Sequence, residues 1–125
     1  MKLILDKKQI NLSADLFMRR AGYAFFRDRN TGKESYSRRL GSGFYPKFHV
    51  YLDEVRDAQG ERMVIDLHLD QKHVSYEGAS HMHNADYDGE AVEGEIERLR
   101  QFAVYLVRTE EEAPAKNRSW WKFWA

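Results

Sequence analysis

Two runs of nine residues constrain this chain more than any other feature. "KFHVYLDEV" (47–55) and "RMVIDLHLD" (62–70) alternate apolar and polar residues, broken only at Glu54–Val55 and at Val64. Successive side chains on a strand point to opposite faces, so each run predicts a strand with one apolar face. "DAQG" (57–60) joins them as a four-residue loop, with Gly60 supplying the left-handed conformation and Arg56 and Glu61 forming an oppositely charged closing pair. In that register Phe48 faces Leu69, Val50 faces Leu67 and Leu52 faces Ile65. The other face then pairs Lys47 with Asp70, His49 with His68 and Tyr51 with Asp66. A one-residue slip would mix the two sets, so the pattern fixes the register.

The flanking segments complete an outline. "MKLIL" predicts a short strand. "LSADLFMRRAGY" predicts a short helix with Ser13 as N-cap, Asp15 in the first turn, Leu12 and Phe17 placed as a hydrophobic staple, and Gly22 as the stop. "YAFFRDRNTGKESYSRRL" reads as a second hairpin turning at "RNTG", and "GSGFYP" as a loop. "EAVEGEIERLRQFAVYLVR" (90–108) predicts the main helix. Val92, Ile96, Leu99, Ala103 and Leu106 form its apolar stripe, widened by Phe102, with Asp88 as N-cap and four glutamates in the first two turns. The expected fold class is α+β. It has an antiparallel four- to five-stranded sheet built from two hairpins, with a short N-terminal helix and a long C-terminal helix packed on one face. One domain spans 1–109, a linker 110–117, and an aromatic and basic tail 118–125. The sheet face bearing His49, Tyr51, Asp66, His68 and Asp70 is expected to be uncovered by helices.

Composition narrows the function classes. The chain has 125 residues and no cysteine, so disulfides, thiolate ligands and cysteine nucleophiles are excluded. No apolar run is long enough to span a membrane, and the start is too short in apolar residues for a secretory signal, which fits a cytoplasmic protein. The net charge of zero divides unevenly: +7 over residues 1–50, −10 over 51–112 and +3 over 113–125. The basic half could face an anionic partner.

Four of the five histidines fall in "HLDQKHVSYEGASHMHNADYDGE" (68–90). His68 and Asp70 end a strand. His81 and His83 share one side if their segment is extended, and Asp86 follows. Imidazole and carboxylate suit zinc, manganese or iron. The candidate ligands for a divalent transition metal are therefore His68, His81, His83 and Asp86, with Asp70 or His49 as the acid–base candidate. The opposing reading is a polar strand-to-helix connection, since no established ligand motif such as HExxH is present.

Two further features bear on partners. "GYAFF" (22–26), flanked by Arg19, Arg20, Arg27 and Arg29, resembles the core of the aromatic motif with which RNA-recognition domains stack bases. Asp28 stands where that motif's last aromatic belongs, and the run follows a helix instead of lying on a third strand. The similarity is therefore read as chance, and Phe25 or Phe26 as core. In the tail, Trp120, Trp121, Phe123 and Trp124 cluster with Arg118 and Lys122. Adjacent aromatics are costly to leave in water, and Trp with Arg or Lys suits a partner groove or a headgroup boundary.

The sequence thus favours a small non-enzymatic binding or adaptor domain. Its tail would contact a protein partner, a neighbouring subunit in a homo-oligomer, or a membrane surface, which would add a peripheral location. A metal-dependent enzyme, most simply a hydrolase using segment 68–88, is the alternative. Nucleic-acid binding through the basic N-terminal half is the third reading.

Overall fold

A computed structural model of the chain describes residues 1–71, 85–86 and 89–112. In chain order the elements are β1 (Lys2–Asp6), α1 (Lys7–Ile10), α2 (Ala14–Arg20), β2 (Ala24–Arg27), β3 (Glu34–Arg39), β4 (Lys47–Asp57), β5 (Gly60–Asp70), β6 (Ala85–Asp86) and α3 (Glu90–Glu112). Five strands form one antiparallel sheet in the order β1-β5-β4-β3-β2. The two-residue β6 pairs with β5 off that path, at Leu69 and Asp70. The class is α+β.

The β4–β5 ladder has the register set by the alternation, from Lys47 opposite Asp70 through Leu52 opposite Ile65. The expected four-residue loop is corrected to two residues. Pairing continues to Asp57 opposite Gly60, and Ala58 and Gln59 make the turn. Gly60 has a φ of 121°, and Asp57 accepts a hydrogen bond from the Gln59 amide, so the turn closes inside the expected ends. Arg56 and Glu61 do pair, at 3.5 Å.

The short helix α2 is capped as its sequence dictates. Ser13 accepts from the Leu16 amide. At the other end the amide of Tyr23 reaches the carbonyl of Met18, and that of Gly22 the carbonyl of Arg19. This is a Schellman arrangement, and Gly22, at a φ of 100°, supplies the conformation it needs. Helix α1 was not expected. One turn long, it starts where Asp6 accepts from the Lys8 amide and ends at Asn11 in the left-handed region.

One core unites the sheet with the helices. Val92, Ile96, Leu99 and Ala103 of α3 join Phe17 and Met18 of α2, and Phe48, Val50, Met63, Ile65, Leu67 and Leu69 of the central hairpin. Leu52, Phe102 and Leu106 pack at its margin. Helix α3 continues to Glu112, so the first residues read as linker are helical. Its end lies just before Pro114, and the glutamates there favour helix. Of the pair in "GYAFF", Phe25 packs on Tyr36 with ring centroids 5.5 Å apart, whereas Phe26 is 57% exposed and faces away from the core.

The opposite sheet face, expected to be uncovered by helices, buries polar side chains. Ser35, His68 and Asp70 lie on it and are buried, and His49 is half-buried. No helix among the described residues is long and apolar enough to cross a membrane. The Asp88 cap, His81 and His83, and the tail fall outside the described residues.

Candidate metal centre

The candidate site follows from the register. His49 on β4 and His68 on β5 are direct cross-strand partners, and Asp70 lies two residues beyond His68 on the same face. Nε2 of His68 is 3.0 Å from Oδ1 of Asp70 and 3.2 Å from Nδ1 of His49. Nδ1 of His49 is 3.7 Å from Oδ2 of Asp70. Among the described residues these three form the group whose nitrogen and oxygen atoms converge in the manner of a metal site, all within 4.8 Å of one another.

The separations suit a common centre. Ligand atoms about 2.0–2.2 Å from a tetrahedral zinc ion stand about 3.3–3.6 Å apart. The two contacts of His68 Nε2, at 3.0 and 3.2 Å, fall just short of that range, and the His49 contact of 3.7 Å, to the other oxygen of Asp70, lies just beyond it. The alternative occupant is a proton: a hydrogen on Nε2 of His68 directed at Asp70 or at His49. Each neutral imidazole carries one hydrogen, on either ring nitrogen, so N–H groups of His68 and His49 directed at Asp70 also meet these contacts. A divalent cation would satisfy all three together, and two imidazoles with one carboxylate form a recognised donor set for first-row transition ions.

Electrostatics keep His49 in the form a metal needs. Burial is the largest cause, and His68, Lys47 and Lys33 add repulsion. Against the opposing pull of Asp70, these lower its pKa from 6.5 to about 4. Its ring is packed edge-on to Tyr51 at 4.7 Å and to His68 at 4.9 Å. Lys33 Nζ in turn sits 4.1 Å from the Tyr51 ring centroid.

Of the residues expected as ligands, His68 is in this group. The two acid–base candidates, His49 and Asp70, stand at ligand positions beside it. Backbone pairing brings Asp86 opposite Leu69, with Ala85 opposite Asp70. His81 and His83 lie outside the described residues. The convergence of His49 with His68 was present in the sequence, since their cross-strand pairing follows from the alternation. Clustering in sequence drew attention to the downstream histidines instead.

A second buried polar cluster was missed. Glu95 of α3 is 3% exposed and sits within the core-facing side of the helix. It accepts from the Tyr23 hydroxyl at 2.5 Å, from Arg38 at 2.9 and 3.1 Å, and from Arg98 at 2.8 Å on each oxygen. Burial alone would raise its pKa. Hydrogen bonds from Arg98, Arg38 and Tyr23 prevail and hold it at about 2. The signal was spacing: Glu95 follows Val92 by three and precedes Leu99 by four, inside the apolar stripe.

No protein-family model, no curated protein and no solved structure matches this chain.

Proposed function

We propose that this protein binds a divalent transition-metal ion through His49, His68 and Asp70, and that its chemistry is metal-dependent hydrolysis. The single observation that supports this is the convergence of three donor atoms, with Nδ1 and Nε2 3.2 Å apart, on one point of the sheet. Three protein ligands leave a fourth position for water, the arrangement catalytic zinc sites use, and a bound ion lowers the pKa of that water toward neutrality. The full chain, purified without chelator and dialysed against zinc, should retain one equivalent by elemental analysis. His68→Ala should retain less than a tenth of that. Protein that holds no zinc and gains no thermal stability on adding zinc or manganese would exclude the reading.

A second reading keeps the tail as a contact element. A groove of about 350 Å³ beside the C-terminal half of α3 is lined by Leu5, Ile10, Ala103, Val104 and Val107. Val104 is 45% exposed there, and the adjoining Tyr105 60%. Trp120 lies eight positions beyond Glu112, a reach of about 26–29 Å when extended. The occupant proposed is the Trp120–Trp124 segment of a neighbouring subunit, an aromatic anchor in an apolar groove. Deleting 118–125 should convert a sedimenting dimer to monomer. A full-length chain that sediments as a monomer at all concentrations rules this out, and tail-dependent capture on anionic liposomes would redirect it to a membrane.

A further inference from the structure

Beside the three donors lie two cations, Arg39 and Lys47. Arg39, Lys47 and Asp70 occupy one row across β3, β4 and β5, with Arg39 directly opposite Lys47. Like charges directly opposed across a sheet are destabilising. Neither cation forms an ion pair with a carboxylate among the described residues. Both instead lie over the ring of Phe44, the Arg39 guanidinium carbon 5.1 Å and Lys47 Nζ 3.8 Å from its centroid. Lys47 is also 5.0 Å from the Tyr45 ring centroid. Phe44 itself is 53% exposed, with its ring edge-on to Tyr45 at 4.8 Å.

Asp70 is the one carboxylate in that row. If it serves a metal ion, the field at Arg39 and Lys47 is more positive still. On the next row toward β2, Ser37 stands opposite His49 and the exposed Ala24 opposite Ser37.

From this we infer that the site's ligand is a small phosphate monoester, its phosphoryl group held between Arg39 and Lys47 beside the metal centre and its organic part resting on Phe44. A phosphate dianion answers two cations and an ion together, and a guanidinium can grip it through two N–H groups. The positive patch is short. Asp53 and Asp66 occupy the same sheet face farther along β4 and β5, where a continuous nucleic-acid strand would meet them. This confines the ligand to a small molecule. The inference rests on the proposed metal centre for its inner boundary, though Arg39, Lys47 and Phe44 form a patch of their own.

Calorimetry on zinc-loaded, desalted full-length protein tests it, with inorganic phosphate and phenyl phosphate as probes. Both should bind, phenyl phosphate more tightly, with affinity falling as salt rises. Arg39→Ala should weaken phenyl phosphate at least tenfold while zinc content is unchanged. Phe44→Ala should erase the preference for phenyl phosphate over phosphate. Equal affinity in Arg39→Ala, or zinc retained with no phosphate bound, would overturn the inference and leave the metal reading intact. Phosphate binding that depends on Arg39 in protein holding no zinc would sustain the anion site and reject the metal. Tighter binding of a single-stranded oligonucleotide than of phenyl phosphate would reject the small-molecule class.

Discussion

The two faces of one sheet each bury a polar cluster, and the clusters differ in the groups that compose them. On the helix side, the two oxygens of Glu95 receive hydrogen bonds from Tyr23, Arg38 and Arg98. On the other side, two imidazoles and a carboxylate, His49, His68 and Asp70, meet at 3.0–3.7 Å, and the histidine tautomers set which nitrogen donates. A saturated buried carboxylate fastens elements together: here it ties α3 to β3 and to the end of α2. Two imidazoles with one carboxylate are instead a donor set that a transition-metal cation can use. That difference in chemistry separates a structural cluster from a candidate functional one.

The sharpest way to break this distinction is to remove Glu95. Glu95→Ala leaves Arg38 and Arg98 without their shared partner. Both are partly exposed and can regain water, so the expected cost is about 3 kcal/mol in urea unfolding, below the loss for a wholly buried pair. Zinc retention by the folded fraction should not change. A loss under about 1 kcal/mol would mean that the cluster does not hold α3 in place.

Acid should act on the two clusters in different pH windows. His49 is depressed from 6.5 to about 4, so the unfolded chain takes up its proton first. Its contribution is full above pH 6.5 and is lost as pH falls toward 4, about 3 kcal/mol in all. Glu95 is depressed from 4.5 to about 2. Its contribution is full above 4.5 and disappears as pH falls toward 2, again about 3 kcal/mol. In metal-free protein, His49→Gln should flatten the stability slope between pH 6.5 and 4 and leave the lower window unchanged. A slope that survives this substitution assigns the upper window to another group.

How far the sequence disclosed each cluster follows from the kind of order that builds it. A period of two is rigid, so the alternation of β4 and β5 fixed which residues share a face, and His49 opposite His68 followed from it. The turn was less legible because backbone pairing can continue into a loop sequence such as "DAQG" at little cost. Glu95 was hidden by its chemistry: among the glutamates opening α3, it reads as a favourable charge at a helix start. Beyond Arg98 on its own helix, its partners Tyr23 and Arg38 come from much earlier in the chain, and their approach is a tertiary fact. The burial of Asp70 was equally invisible, since alternation assigns a side chain to a face and says nothing about what covers that face.

Asp70→Asn sharpens the comparison from the other side. The amide keeps the volume and an acceptor oxygen, so metal-free stability should change by about 1 kcal/mol or less. Zinc affinity should fall at least tenfold, since even indirect supports of a metal ligand are worth that much. Glu95→Ala and Asp70→Asn would then be opposites: one costly to the fold and silent on zinc, the other the reverse. If Asp70→Asn costs as much stability as Glu95→Ala, both clusters are structural.

The smallest effect isolates one hydrogen bond. Tyr23→Phe keeps the buried ring and removes only the hydroxyl that lies 2.5 Å from Glu95. Burial pushes the phenol pKa up, and Glu95 beside it pushes in the same direction, so Tyr23 remains a donor at every pH where the protein folds. Its loss leaves Glu95 with both arginines, so the carboxylate stays paired. The expected cost is about 1–2 kcal/mol, the usual range for a hydrogen bond to a charged group. The pH window of Glu95 should also move upward, because one of the three groups holding its pKa down is gone. A stability loss without that upward movement would mean that Tyr23 acts through packing against the core, and that the two arginines alone set the charge state of Glu95.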